Sequence, residues 1–177
     1  MAGHLRQHLG HAFRRALRGR SRIASVFAML AIGALTSGIS GASEQVDVPP
    51  ELHLDRQLGK VVIVDFWASW CKPCRQSIPW LNEMRSRYGA RGLVVIGINV
   101  DARRSDAERF LHDVPMQFDV VFDPDGRLAG QFKLKGMPSS FLFGRDGRFA
   151  ERHLGFRDAD KAAYEAALQS LLSTPAS

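Results

Sequence analysis

One stretch narrows the fold of this chain more than any other: KVVIVDFWASWCKPC, Lys60 to Cys74. Its first eight residues are almost wholly apolar and rich in β-branched side chains. A strand with one wet face would alternate polar and apolar residues. This one reads as a central strand buried on both faces. Directly after it come Cys71 and Cys74, the only two cysteines of the chain. From Lys72 onward Ile78, Leu81, Met84 and Tyr88 recur every three or four positions. That spacing predicts a helix over 72–88, ended by Gly89 and Gly92. The chain is therefore built around a buried strand that passes, through two thiols, into an amphipathic helix.

The remaining elements follow the same reading. Leu93–Val100, LVVIGINV, is a second buried strand. Ser105 and Glu108 in SDAERFLHDV form a capping box ahead of a short helix. FDVVFD is a third strand, followed by turn chemistry in DPDG and a short helical stretch in RLAGQFKL. SSFLF and RFAERHL flank GRDG as a hairpin. A final helix over 158–172 carries Ala163, Ala167, Leu168, Leu171 and Leu172 along one side. Residues 43–58 form a polar lead-in with an edge strand near Leu52–Leu54. The order β-α-β-α-β-α-β-β-α predicts an α/β fold, a central mixed sheet flanked by helices, with a strand/helix insert in the middle. The domain spans 59–173.

Charge separates the chain into two parts. The 177 residues carry a net charge of +6. Residues 1–42 hold six arginines and no lysine or acid, so the rest of the chain is formally neutral. No basic, aromatic-interleaved patch in that remainder suggests nucleic-acid binding. The N-terminal segment has a positive region ending at Arg22, an apolar run from Ile23 to Leu35, and small residues up to Ala42. It reads as an export signal cut after Ala42, or as an uncleaved anchor using 23–39, short of the roughly 20 residues of a comfortable span. Membrane contact is expected only if it stays uncleaved. Export places the domain in an oxidising compartment, where thiols tend to pair.

Two cysteines at this spacing admit three chemistries. A tetrahedral zinc site needs two further ligands, and beyond the signal segment the histidines His53, His112 and His153 are far apart in sequence. A structural crosslink of so short a loop would remove little chain entropy from the unfolded state. A reversible redox pair fits the local physics best. The start of a helix stabilises a thiolate through its unpaired N–H groups and dipole, and the thiolate is the attacking species. Lys72 adds a positive charge nearby. Pro73 suits the first helical turn, where its missing N–H has no partner, and stiffens the loop. Cys71 is then the nucleophile and Cys74, deeper, the resolving thiol. No cofactor and no metal are implied.

VDFWASWCKPC resembles the active-site stretch of the thioredoxin superfamily. Together with the signal segment, IGINVD and GMPSSFLF, it resembles the exported TlpA/ResA-like thiol–disulfide oxidoreductases over about Gly59 to Leu172. The resemblance implies that Met137–Pro138 is a cis step beside the disulfide, with Met137 offering backbone hydrogen bonds to a substrate chain. It implies that Asp65, buried behind Cys74, moves that thiol's proton; many exported relatives carry Asn there. Burial of an unpaired carboxylate raises its pKa, which suits this task. Trp70 is expected on the apolar rim of the site, Trp80 in helix packing, and Trp67 in either place. Pro79 should kink the helix. A glutamate that tunes the cysteines in some relatives is not supplied by INVDARR, so Asp101 reads as a strand-end turn acid.

The same resemblance suggests a periplasmic reductant of disulfides in exported proteins, such as apocytochrome c or a copper-site assembly factor, with a membrane thiol transporter as electron donor. Proline rather than histidine before Cys74 favours reduction over oxidation. The alternative is a Cu(I)-binding metallochaperone of the same fold.

Overall fold

The computed structural model describes residues 46–175; the export-signal reading and its cut after Ala42 lie outside them. The elements are β1 (Val61–Trp67), α1 (Cys74–Tyr88), β2 (Leu93–Asn99), α2 (Arg104–Asp113), β3 (Asp119–Phe122), α3 (Arg127–Gln131), β4 (Ser139–Phe143), β5 (Phe149–Leu154) and α4 (Lys161–Ser173). They occur in the order expected from the sequence. The sheet order is β3-β2-β1-β4-β5. β1 pairs in parallel with β2, and β2 with β3, while β4 and β5 run antiparallel. This is the mixed, helix-flanked sheet of a thioredoxin-like α/β fold.

β1 is the middle strand and every one of its residues is buried. Its side chains alternate between two apolar layers. Val61 and Ile63 pack with Leu81 and Met84 of α1 and with Tyr164, Leu168 and Leu172 of α4. Val62, Val64 and Phe66 pack on the opposite face with Leu128, Phe132, Phe141 and Phe143. Phe66 and Phe132 meet edge to face at 5.1 Å, the offset geometry that the ring quadrupoles favour. Near its end, β1 needs room. A Cβ at Gly97, directly opposite Asp65, would lie 3.2 Å from the Trp67 Nε1 and 3.1 Å from Phe118.

Several local expectations are corrected. Residues 50–57 form no edge strand but two 3-10 turns, Pro50–Leu52 and Leu54–Gln57. Pro49 and Pro50 lack the N–H that a ladder needs, and the turns drop Leu52 and Leu54 into the core. The capping box does not form. α2 starts at Arg104 with Ser105 already helical, and no side chain caps it; Asp106 instead pairs with Arg103 at 2.9 Å. α4 begins at Lys161, after a 3-10 turn at Asp158–Asp160. Its buried residues are Tyr164, Leu168 and Leu172, whereas Ala163 is exposed. The large ring of Tyr164 sets the inward stripe of that helix.

Candidate active site

The loop from Ala68 to Pro73 joins β1 to α1. The Cys71 N–H donates to the Ala68 carbonyl at 3.1 Å, and the Cys74 N–H to the Cys71 carbonyl at 3.1 Å. Two successive tight turns thus bring the cysteines together, and Cys71 and Cys74 are joined in a disulfide with Cα atoms 5.3 Å apart. α1 begins at Cys74 rather than at Lys72, with Pro73 as its cap. Cys71 therefore lies just ahead of the helix. The orphan N–H groups of the first turn follow it. Gln76 and Ser77 turn their N–H groups back to the Pro73 carbonyl. The helix continues through Pro79 to Tyr88.

Cys74 is fully buried and Cys71 nearly so. Both pack in one cluster with Trp67, Ile78, Ala107 and Phe110, against which Met137 leans. An open groove of about 530 Å³ runs beside the disulfide, lined by Trp70, Cys71, Lys72 and Pro73 on one side and by Leu134, Lys135, Gly136 and Met137 on the other. The sequence-expected residues Trp70, Lys72, Pro73 and Met137 thus meet at one place. Pro138 is buried behind them, and the Met137–Pro138 peptide is cis. Trp70 is 68% exposed, although it is among the largest apolar side chains of the chain. Trp67 is fully buried, and Trp80 packs against Phe156 and Tyr164.

Asp65 lies in β1 between Ile63, which packs under the middle of α1, and Trp67, which packs with the cysteines. It faces the same side as both, so its carboxyl points toward the first half of α1. It is fully buried. The Ser140 hydroxyl donates to its Oδ1 at 2.6 Å, and its Oδ2 has no hydrogen-bond partner. Burial pushes the Asp65 pKa up to about 7, against the opposing pull of the Ser140 bond. The group therefore changes charge in the range where thiol chemistry operates.

Four features escaped the sequence reading. Asp101 is no simple turn acid. It is buried, and accepts from the Ser69 N–H at 2.9 Å, the Ser69 hydroxyl at 2.8 Å and the Asn99 amide at 2.7 Å. It fastens the end of β2 to the active-site loop two residues before Cys71. A lone acid after a strand carries no sign of that role; only the parallel pairing of β1 with β2 does. Ser140 is the second, and a hydroxyl in so apolar a strand is itself the signal that could have found it. Leu154, 59% exposed, lies beside Gly136 at the edge of the groove. His153 stacks on Tyr164 with ring centroids 3.8 Å apart, and burial lowers its pKa against the raising influence of Glu151 and Asp160.

The described residues bring together no group of three His, Cys, Asp or Glu side chains suited to hold a metal ion. The site presents a two-sulfur bond beside an apolar groove, with a buried carboxyl of raised pKa on the inner side of the sheet.

Comparison with known proteins agrees. Residues 46–152 match the AhpC/TSA family. A thiol-disulfide oxidoreductase ResA of Bacillus cereus is 30% identical over 121 residues, covering 68% of this chain and 69% of that protein. ResA of Bacillus thuringiensis (strain Al Hakam) is 31% identical over 105 residues, and this match covers 59% of the chain and 61% of that protein. The crystal structure of a thiol:disulfide interchange protein DsbE from Chlorobium tepidum is 48% identical, with a TM-score of 0.66 over 68% of this chain and 85% of that one. Fold, redox pair and relatives converge, and the chain belongs to the AhpC/TSA family of thioredoxin-like proteins as a ResA/DsbE-like thiol–disulfide oxidoreductase.

Proposed function

We propose that the protein works as an exported reductant of protein disulfides, using Cys71 as nucleophile, Cys74 as resolving thiol and Asp65 as the base that takes the Cys74 proton. The supporting observation is the asymmetry of the pair. Cys71 lines the open groove, whereas Cys74 is fully buried and packs with Trp67, two residues along β1 from Asp65.

In the first step the Cys71 thiolate attacks one sulfur of a substrate disulfide. A mixed disulfide forms, and the departing substrate thiolate takes a proton from solvent. In the second, Asp65 accepts the Cys74 proton, and the Cys74 sulfur attacks the Cys71 sulfur of the mixed disulfide. The second substrate thiolate leaves, and two electrons have passed from the protein to the substrate. Trp70, Met137 and Pro138 form the surface on which an extended substrate segment lies, and Lys72 favours the Cys71 anion by simple Coulomb attraction.

A reductant in the periplasm needs resupply, because its surroundings drive it toward the disulfide. A membrane thiol transporter serves as donor in this reading. The acceptors are cysteine pairs of exported proteins, with apocytochrome c and copper-site assembly factors as leading classes. Residues 1–42 carry the export address, as a cleaved signal or as an anchor over 23–39.

Replacing Cys74 with Ser tests the order of attack. The variant should accumulate a mixed disulfide on Cys71 with any disulfide substrate, detected by mass spectrometry; a variant that forms no adduct, or forms it only in a Cys71→Ser protein, refutes it. The midpoint potential of the pair, measured with and without Cu(I), separates a reductant from a copper carrier.

A further inference from the structure

Among the described residues three aspartates are buried, and the fold treats them differently. Asp101 has both carboxylate oxygens occupied, Oδ1 by the Ser69 hydroxyl and Oδ2 by the Ser69 N–H and the Asn99 amide. Asp123 accepts from the Leu128 N–H on Oδ1 at 3.1 Å and from the Ala129 N–H on Oδ2 at 2.9 Å. Each organises a loop, as fully bonded buried carboxylates do. Asp65 is the exception: one oxygen is bonded to Ser140 and the other to nothing.

The strand register explains this asymmetry. Ser140 of β4 stands directly opposite Asp65 in the antiparallel pair, so the two side chains share one face. On the other side the opposing residue is Gly97 of β2, which has no side chain to offer. A hydroxyl in a buried apolar strand costs free energy unless it is hydrogen-bonded, and Ser140 commits its only proton to Oδ1. The remaining groups on this face are few. Cys74 of α1 packs with Trp67, the next residue of β1 on the same face as Asp65. Tyr164 of α4 is fully buried; its hydroxyl makes no hydrogen bond of normal geometry, yet it is close enough to feel the Asp65 charge and the Ser140 hydroxyl. Beyond Tyr164, His153 and Glu151 of β5 lie 3.4 Å apart toward the sheet edge, with Asp160 acting on His153 from the turn before α4. No cation among these groups is placed on Oδ2.

We infer that Ser140 is the positioning residue of the proton step: its hydroxyl holds Oδ1 of Asp65 and leaves Oδ2 as the atom that accepts the Cys74 proton. This rests on Asp65 being the base of the proposed reaction. The Ser140 hydroxyl also steadies the ionised carboxylate, so it sets the pH at which the base becomes available. When the mixed disulfide resolves, the proton moves from the Cys74 sulfur to Oδ2 and the sulfur pair closes the bond to Cys71. The Ser140 proton stays on its own oxygen throughout.

The experiment follows resolution alone. The reduced protein is mixed with an aromatic disulfide whose released thiolate absorbs in the visible; the first thiolate reports attack by Cys71 and the second reports resolution by Cys74. In the wild type the second phase should accelerate through a midpoint near 7. Ser140→Ala should move that midpoint upward; a rise of one pH unit slows resolution at neutral pH about 5-fold while leaving the rate at high pH nearly unchanged. Ser140→Thr, which keeps the hydroxyl, should restore the wild-type profile. In an Asp65→Asn background Ser140→Ala should shift nothing. Carboxyl-carbon NMR of Asp65 in the oxidised protein gives a readout independent of activity, and its titration should rise in Ser140→Ala. An unmoved midpoint, or an equal loss at every pH, makes Ser140 merely structural and overturns the inference. If Asp65 titrates higher in Ser140→Ala but resolution keeps its wild-type profile, Oδ2 is not the acceptor. A wild-type profile in Asp65→Asn itself removes the base, and with it the reading on which Ser140 depends.

Discussion

Replacing Asp65 with Asn should stabilise the oxidised protein, and by an amount that grows with pH. In the fold the Asp65 pKa stands at about 7, raised by burial. In the unfolded chain it returns to about 3.9. The folded state therefore holds this proton more tightly than the unfolded state. The contribution of Asp65 to stability is whole below pH 4, declines as pH rises, and reaches its floor above pH 7. Each pH unit between the two values is worth about 1.4 kcal/mol, so the total comes to about 4 kcal/mol. Asn imitates the protonated acid in shape and cannot ionise. The difference in unfolding free energy between Asp65→Asn and wild type should be small at pH 4 and approach about 4 kcal/mol, to order of magnitude, at pH 8. Denaturant unfolding with the Cys71–Cys74 bond intact is the suitable assay, since neither cysteine then titrates. His153 works in the opposite sense, because its lowered pKa makes the fold lose stability as pH falls; it is present in both proteins and largely cancels from the difference. A difference that stays flat within about 0.5 kcal/mol from pH 4 to pH 8 would refute the claim that burial governs this carboxyl.

Two other substitutions probe how the scaffold holds the site. Asp101→Ala strands the Ser69 N–H, the Ser69 hydroxyl and the Asn99 amide; it should cost about 3 kcal/mol in denaturant unfolding. Hydrogen exchange at residues 68–71 should rise more than at α4, and uniform exchange would argue against a local clamp. Gly97→Ala pushes a methyl against Trp67 and Phe118. It should lower stability by about 1–3 kcal/mol and change the fluorescence of buried Trp67; a variant as stable as wild type would show that the layer repacks freely.

Much of the architecture was legible before any coordinates. The almost wholly apolar run of β1 announced a strand covered on both faces, and the Ile78, Leu81, Met84, Tyr88 spacing announced the face that α1 buries. What failed was local. The capping box at Ser105 and Glu108 matched a pattern, but the turn after Asp101 puts the cap of α2 at Arg103, two residues earlier, and Arg103 engages Asp106 instead. The lead-in leucines looked like an edge strand because period-two spacing also suits a turn that tucks two side chains inward. Trp67 and Trp70 are three residues apart and chemically identical, yet one is sealed and the other open.

The sequence by itself determined the chemistry: two thiols at the head of a helix, no other cysteine to pair with, and one acid in a strand too apolar to be wet. Only the tertiary structure decided what surrounds that acid. The Ser140 hydroxyl and the bare Gly97 come from segments distant in sequence, and they meet Asp65 through strand register alone. A charge's cost depends on its neighbours in space, and these are assembled by pairing and packing rather than by sequence proximity.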